Sequence, residues 1–413
     1  MDLVRKDRKI VLLIAANLFA SIGMGILSLG VAWLIVDRHQ GEKILGMVMI
    51  ATTVLLFISS PYIGVMIDRL SRKLIFQCNQ WLVLVVVTPI ALFGLMNQGL
   101  HTWQLVILYV TSIAYYGIHY PNLMAFVQQL FDRGRHNRLN SLLEVQSQSA
   151  SMIAGGVAGF LFQLIEPSQV LLLIVVSTII SLGLISKLPD GDQFKNGVRS
   201  VHRIKEGKAG LAFIKGNLKV CVSIFALMIP FLTLMVGNYL RPVYINSTLQ
   251  ADASIYGFTN MFYSVGAICA GLIISMIFAR FGPWIAAIVS VGMYTASLFL
   301  VAFIPVVQIF LILQVFHGLG NAGSRICKQN MMMATIPNDR IGRVNGIFEA
   351  VGMGIRVILL LTFTYTMDWI HVEFAFLITA LLSLCAFLMV LKNRTQLSSY
   401  EKTIPLVKTS GGA

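Results

Sequence analysis

Long apolar runs constrain this chain more than any other feature, and residues 10–36 and 284–304 form two of them. Each run exceeds the ~18 residues that mark a candidate membrane-spanning helix. The apolar residues neither alternate with polar ones nor form a single helical stripe, which argues against strands and against a soluble helical bundle. Only 12% of the 413 residues are charged, against roughly 25% in soluble domains. The sequence therefore predicts an all-α membrane protein.

Twelve spans are predicted, and one connection between them is much longer than the rest. This connection, residues 189–216, opens with Pro189, Asp190 and Gly191 and is rich in Lys and Arg. It has six spans on either side. We therefore predict an N-terminal six-helix bundle (1–188), a cytoplasmic linker (189–216), a C-terminal six-helix bundle (217–391) and a cytoplasmic tail (392–413). The spans lie near 10–36, 44–67, 75–96, 104–130, 139–165, 169–188, 217–246, 255–279, 284–304, 308–336, 343–367 and 374–391.

Basic residues collect on one side of the predicted spans. Most of the 31 lie in the N-terminal segment, the loops after the second and fourth spans, the linker and the tail, whereas Arg38 and Lys43 lie opposite. Since basic residues favour the cytoplasmic side, we expect both termini there, which an even number of spans satisfies. The net charge of +14 is then explained by topology and anionic lipid rather than by nucleic-acid binding.

A short motif recurs at about half the chain length. Residues 138–144 read RLNSLLE and residues 343–349 read RVNGIFE, and each copy begins the fifth span of its half. Parallel repeats related by an axis along the membrane normal are a transporter architecture, with the substrate site near the midplane between the halves. The acids of the two copies, Glu144 and Glu349, are interpreted as gate residues.

The loop after the second span combines a glycine, an acid and three cations. Gly64 would let two helices approach closely, and Asp68 would lie against the positive N-terminus of a neighbouring helix. The cations would pair with nearby acids such as Glu144 and hold the cytoplasmic side closed; alternatively, this is an ordinary basic cytoplasmic loop. The residues concerned are Gly64, Asp68, Arg69, Arg72 and Lys73.

This loop resembles the signature loop of the major facilitator superfamily, although Ser71 replaces its usual second glycine. The resemblance covers essentially the whole chain and implies a transporter of two pseudo-symmetric six-helix bundles, commonly monomeric. The Asp-Arg-x-x-Arg-Lys form and the Trp33 helix look most like a bacterial branch with macrolide-efflux and siderophore-exporter proteins. That likeness implies export across the bacterial cytoplasmic membrane. An antiporter motif is only partly present, because Gly156 stands where proline is expected, although Gly155 and Gly159 keep the small-residue spacing.

Ionisable residues within spans are costly and suggest function. Arg241, Arg325 and Arg356 lie well inside the seventh, tenth and eleventh spans. Because Arg binds carboxylates in a bidentate manner, they predict a cavity for an anionic solute, with Arg325 as first choice. The alternative is pairing among helices, since Glu349 and Arg356 lie two turns apart on one face. Lys328 would extend towards the cytoplasm.

The fourth span carries further candidates near its middle. Tyr116, His119 and Tyr120 are expected to contact substrate. Because the histidine side chain ordinarily titrates near neutrality, His119 could carry a proton, or it could be a hydrogen-bonded buried histidine. Asp37 and Glu349 are the other candidates for proton coupling.

No nucleotide-binding G-x-x-x-x-G-K-[ST] motif occurs, so transport would draw on an ion gradient or on the solute's own gradient. We expect proton-coupled export of a small anionic organic molecule, with a carboxylate siderophore favoured. The alternatives are macrolide or multidrug efflux and, less favoured, solute import. An intramembrane enzyme would need a catalytic cluster such as H-E-x-x-H, and neither that nor clustered Cys or His ligands for a metal are present. The expected partners are therefore a small-molecule substrate, protons and the lipid bilayer, without a cofactor.

Overall fold

The computed structural model describes residues 7–96, 99–131, 133–189, 203–337, 340–367 and 369–393. Residues 190–202 of the predicted linker and 394–413 of the predicted tail lie outside these ranges. Within them the chain forms helices and turns and no strand. The helices are α1 Arg8–Val36, α2 Gly41–Arg69, α3 Arg72–Met96, α4 Thr102–Leu130, α5 Arg133–Leu164, α6 Pro167–Ser186, α7 Arg203–Gly216, α8 Leu218–Ser247, α9 Ala253–Phe303, α10 Val307–Thr335, α11 Ile341–Thr366 and α12 Val372–Lys392.

Helix α9 contains two spans joined at a glycine. Gly282 has φ 84° and ψ 170°, a backbone conformation that is open essentially to glycine alone. Pro283 follows it and cannot donate a helical hydrogen bond. In the described part of the chain, α9 and ten other long helices therefore supply the twelve spans that the sequence predicted. The short helix α7 lies in the predicted linker.

Among the described residues, eight helices are long and apolar enough to cross a membrane on length and composition alone. The long helices α4, α5 and α10 fall short of that apolar threshold. All three bury polar side chains: His119 and Asn122 on α4, Gln146 on α5, and Gln314, His317 and Asn321 on α10. Since polar side chains in a membrane protein face the bundle interior or a water-filled cavity, these helices are the ones expected to line a polar interior.

The helices pack as two halves, α1–α6 and α8–α12. In the first half, α1 packs on α4, α5 and α6, and α3 packs on α4 and α6; in the second, α9 packs on α10 and α12, and α8 packs on α10 and α12. Each half has an apolar core of its own, and a third core includes residues of both. The main contacts between halves join α5 to α9 and α2 to α11.

The halves meet at the closed end, which we define by the loops 37–40, 165–166 and 248–252. A Cβ added to Gly159 of α5 would lie 2.7 Å from Ser254 Cα, and one added to Gly155 would lie 2.7 Å from the Gly257 carbonyl oxygen of α9. Small residues permit such close backbone approach. Trp33 stacks on Tyr256 of the other half, with ring centroids 6.1 Å apart.

The halves are apart at the opposite, open end, which carries the loop 70–71. Side chains well inside the helices are exposed there, with Tyr120 at 49% and the side chains of Arg325 and Glu144 at 47% and 58%. We call the space between the halves the cleft. Gly64 is exposed and has no atom within 4 Å of an added Cβ. The close approach predicted for Gly64 is therefore not made in this structure, because no helix lies beside it.

Candidate substrate-binding site

Arg241 is buried in the second half, on α8, with 5% of its surface exposed. Its Nε donates to the Gly237 carbonyl at 3.2 Å, and its Nη2 donates to Asn238 Oδ1. The guanidinium lies 6.0 Å from the centre of the Tyr263 ring. Its Nη1 has no hydrogen-bond partner, and no carboxylate of the described residues pairs with it. A buried cation with an unused donor is costly unless a ligand supplies an acceptor.

One face of α10 adds further unused donors near Arg241. Gln314, His317 and Asn321 recur at helical spacing. The His317 ring Nδ1 lies 3.3 Å from Gln314 Oε1, and the Tyr263 hydroxyl donates to Asn321 Oδ1 at 3.1 Å. The amide nitrogens of Gln314 and Asn321 have no partner in the described part of the chain. His317 is also an electrostatic neighbour of Arg241. Because an amide oxygen only accepts, His317 Nδ1 donates to Gln314 Oε1, which leaves the ring Nε2 as an acceptor without a partner in the described residues. The face thus offers two unused amide donors and one unused imidazole acceptor.

Arg325, on the same helix, lies nearer the open end and has a carboxylate partner. Its Nη2 is 3.9 Å from Glu144 Oε1 of the first half, and its guanidinium lies 6.0 Å from the Phe231 ring centre. Gln148 also donates to Glu144 Oε1, at 3.1 Å. The sequence suggested that Glu144 pairs with cations of the 64–73 loop, whereas in this structure it pairs with Arg325 because α5 and α10 face each other across the cleft.

Arg356 of α11 faces the first half. Its Nε is buried without a partner in the described residues, and Tyr109 of α4 is its electrostatic neighbour. The network that the sequence suggested between Arg356 and Glu349 is not formed here. Glu349 instead accepts from Asn345 at 2.7 Å and interacts electrostatically with Lys328.

Helix α4 of the first half contributes a pair of stacked tyrosines. The rings of Tyr116 and Tyr120 are stacked, with centroids 5.5 Å apart and planes 13° from parallel. Tyr120 is an electrostatic neighbour of both Glu144 and Arg325, which places it at the cleft. The structure thus brings Tyr120 and Arg325, two predicted substrate contacts, together.

His119 is buried in a polar network inside the first half. Its Nε2 lies 2.7 Å from Asn17 Oδ1, and Asn17 Nδ2 donates to Gln146 Oε1. Because an amide oxygen only accepts, Nε2 carries the hydrogen and donates it. Nδ1 has no partner among the described residues. The histidine therefore joins α4 to α1 and, through Asn17, to α5.

The 64–73 loop is attached to its own half. The Arg72 Nη1 donates to the Ala125 carbonyl at 2.6 Å, and Asn122 Nδ2 donates to the Arg72 carbonyl at 2.9 Å, both across to α4. Asp68 is exposed and forms no hydrogen bond or ion pair within the described chain. Arg69 is likewise exposed. At the closed end, Asp37 accepts from Asn246 of the other half at 3.5 Å.

Sequence reasoning missed several residues of this site. Tyr256 and Tyr263 lie seven residues apart on one face of α9, and Gln314 and Asn321 show the same spacing on α10. That periodicity of polar side chains within apolar spans was the available signal. No comparable sequence pattern pointed to Tyr109.

Comparison with known proteins identifies the family of this chain. The model of the Major Facilitator Superfamily matches residues 13–240 and 222–408. No functionally curated protein matches the chain.

Three solved structures share the fold at low identity. A bacterial homologue of the iron transporter ferroportin in the inward-facing state has a TM-score of 0.72 at 16% identity, covering 94% of this chain and 98% of that one. The POT family transporter PepTSo has a TM-score of 0.70 at 10% identity, covering 96% and 99%. A D-xylose-proton symporter has a TM-score of 0.69 at 14% identity, covering 97% and 98%. With twelve spans in two packed halves and a family model that matches nearly the whole sequence, the chain belongs to the Major Facilitator Superfamily of membrane transporters.

Proposed function

We propose that this chain is a secondary active transporter that exports a small anionic organic molecule by alternating access, with a carboxylate siderophore as the favoured solute. The main support for an anionic substrate is the state of Arg241. This arginine is buried beside the cleft, its Nη1 is unused, and no described carboxylate pairs with it. A carboxylate bound there would neutralise a charge that is otherwise buried alone.

The surrounding donors favour the same chemistry. A carboxylate has two oxygens and about four acceptor sites. The Nη1 of Arg241 and the free amide nitrogen of Asn321 are both donors. Arg325 is already paired with Glu144 near the open end, so it suits a first contact with an entering anion. Among the arginines that the sequence singled out, Arg241 is therefore the stronger candidate for the bound state.

Alternating access is supported by the difference between the two ends of the cleft. Glycine-to-backbone contacts bring α5 and α9 together at the closed end, while Glu144 and Arg325 remain exposed towards the open end. With basic residues on the cytoplasmic side, the open end faces the cytoplasm and the protein lies in the bacterial cytoplasmic membrane. An exported solute would enter there.

Export and proton coupling rest on the likeness of the 64–73 loop to the siderophore-exporter branch. His119, Asp37 and Glu349 are the candidate proton carriers. Among the three, His119 is buried and has a ring nitrogen without a partner in the described residues. It is the first choice because protonation there would alter a network that joins three helices of one half.

Efflux of macrolides or other amphipathic drugs is the second candidate, with import less favoured. The stacked and partly exposed Tyr116–Tyr120 pair supports it, because aromatic faces offer large apolar contact area. A cationic drug would, however, meet the unpaired Arg241.

Transport into inside-out vesicles separates these functions. We expect uptake of a radiolabelled carboxylate siderophore to increase with an imposed pH gradient. The Arg241→Gln variant should lose about tenfold or more of its affinity, because a hydrogen bond to a charged group contributes roughly 1.5–3 kcal/mol. Arg280→Gln is the matched control, since Arg280 is exposed and stacks on Phe281 outside the cleft.

Two outcomes would overturn the proposal. Equal uptake by the Arg241→Gln variant and the control would remove the basis for an anion site. Macrolide uptake that Arg241→Gln leaves unchanged, with no siderophore uptake, would favour the second candidate.

A further inference from the structure

Tyr263 of α9 contacts two of the buried polar residues described above. Its ring centre lies 6.0 Å from the guanidinium carbon of Arg241 on α8, and its hydroxyl donates to Asn321 Oδ1 on α10 at 3.1 Å. Tyr263 is partly exposed, whereas Arg241 and Asn321 are buried. One tyrosine therefore joins three helices of the second half.

Helix lengths place these contacts at one depth. Gly237, whose carbonyl accepts from Arg241, lies ten residues before the end of α8 at Ser247. Tyr263 lies ten residues after the start of α9 at Ala253. Since an α-helix rises 1.5 Å per residue, both are about 15 Å from the closed end. That is half of the ~30 Å hydrocarbon thickness of a bilayer, so the contacts lie near the midplane, where a site between repeats is expected.

The hydrogen bond from Tyr263 determines what Asn321 can offer to a ligand. An amide side chain has an oxygen that accepts and a nitrogen that donates. Because the Tyr263 hydroxyl donates to Oδ1, the oxygen is occupied, and Nδ2 is left without a partner in the described residues. The reversed amide would present its oxygen where Nδ2 now lies, and an oxygen there would repel an anion.

Two unused donor groups thus lie beside one tyrosine, Nδ2 of Asn321 and Nη1 of Arg241. A carboxylate accepts hydrogen bonds at both of its oxygens. Such bonds are charge-assisted and stronger than those between neutral groups. The orientation of the Asn321 amide therefore decides whether a carboxylate meets one donor group here or two.

We infer that the Tyr263 hydroxyl is a positioning group for anion recognition, which holds Asn321 with its nitrogen towards the solute while Arg241 supplies the charge. The inference rests on the proposed function and adds a residue that selects a carboxylate over the corresponding neutral amide. A neutral amide both donates and accepts, so it tolerates either orientation of Asn321. Tyr263→Phe keeps the ring beside Arg241, removes the hydroxyl and leaves the Asn321 amide able to turn.

Benzoate and benzamide are matched probes, because they share a ring and only benzoate is charged at pH 7.5. Binding to the purified full-length protein in detergent is measured by ligand-observed NMR, which detects weak affinities. We expect Tyr263→Phe to weaken benzoate binding about tenfold, the size of one charged hydrogen bond, and to leave benzamide almost unchanged. Tyr244→Phe is the matched control, because its buried hydroxyl donates to the Val301 carbonyl instead; both affinities should stay as in the unmodified protein.

A second substitution tests whether the hydroxyl acts through the amide. Asn321→Leu alone should weaken benzoate about tenfold, and adding Tyr263→Phe should cause no further loss, because the two changes remove the same interaction. Additive losses would show that Tyr263 acts independently of Asn321 and would overturn the inference. The comparison of benzoate with benzamide in Tyr263→Phe needs no second substitution, so poor folding of Asn321→Leu does not prevent the test.

The remaining outcomes separate this inference from the proposed function. Equal loss of benzoate and benzamide binding in Tyr263→Phe, or no loss of benzoate binding, would overturn the inference. The anion site would still stand in that case if Arg241→Gln weakens benzoate. Benzoate binding that Arg241→Gln leaves unchanged, or no benzoate binding to the unmodified protein, would overturn both.

Discussion

Glu144 of the first half lies 3.9 Å from Arg325 of the second, and this ion pair crosses the cleft towards its open end. Both side chains are about half exposed, and ion pairs of that kind contribute roughly 0–1 kcal/mol to stability. The pair is therefore too weak to hold the halves together. Under the proposed function the pair has a different importance, because an entering anion and Glu144 would compete for Arg325.

Removing the competing carboxylate should strengthen anion binding. We expect Glu144→Gln to bind the transported anion up to about fivefold more tightly, because an exposed ion pair is worth at most roughly 1 kcal/mol. Arg325→Gln should have the opposite effect. Calorimetric titration of the purified variants measures both changes. Weakening of similar size in both variants would contradict the competition.

The glycine contacts at the closed end should be sensitive to any added side chain. A Cβ at Gly159 would lie 2.7 Å from Ser254 Cα, so we expect Gly159→Leu to separate α5 from α9 and favour the conformation open at this end. Spin labels at the exposed positions His39 and Asp252 would report a longer distance by pulsed electron resonance. Gly183→Leu is the control, because nothing lies within 4 Å of a Cβ there. An unchanged distance in Gly159→Leu would show that the contact is not needed for closure.

The turn inside α9 should tolerate only glycine. We expect Gly282→Ala to lower the free energy of unfolding by about 1–3 kcal/mol, because φ 84° with ψ 170° strains any residue with a Cβ. Gly271→Ala, at a helical position of the same element with open space around it, should raise stability by about 0.4–1 kcal/mol. Thermal unfolding in detergent compares the two variants, and changes of the same sign would contradict the assignment.

Loss of the His119 hydrogen bond should destabilise the first half. In His119→Phe, Asn17 Oδ1 would lose its donor at a buried position, at a cost of about 1–3 kcal/mol. His39→Phe, at an exposed position, should change stability by no more than about 0.5 kcal/mol. Thermal unfolding again provides the measurement, and equal melting temperatures would show that the network contributes nothing.

The spans could be predicted because their signal is local. An apolar run such as residues 10–36 has few alternatives to a membrane helix, and the structure begins and ends that helix, α1, within two residues of the prediction. Even the turn at Gly282–Pro283 was visible as a break between two spans. The polar helices α4 and α10 were found because long apolar stretches flank their polar residues.

The site was only partly predictable because its pairings are not local. Charges within membrane spans are rare, so the sequence alone singles out Arg241, Arg325 and Arg356. Glu144 pairs with one of these arginines, Arg325. It belongs to the other half of the chain and meets Arg325 only in the folded structure. Gly64 shows the same limit, because its approach to another helix depends on which end of the cleft is closed.

The stacking of Trp33 on Tyr256 has an optical consequence. The indole belongs to one half and the phenol to the other, so opening of the closed end must pull the rings apart and transfer the indole to a more polar surrounding. The emission of Trp33 would then follow each turnover without an attached dye, and a Tyr256→Leu variant would identify its share of the signal.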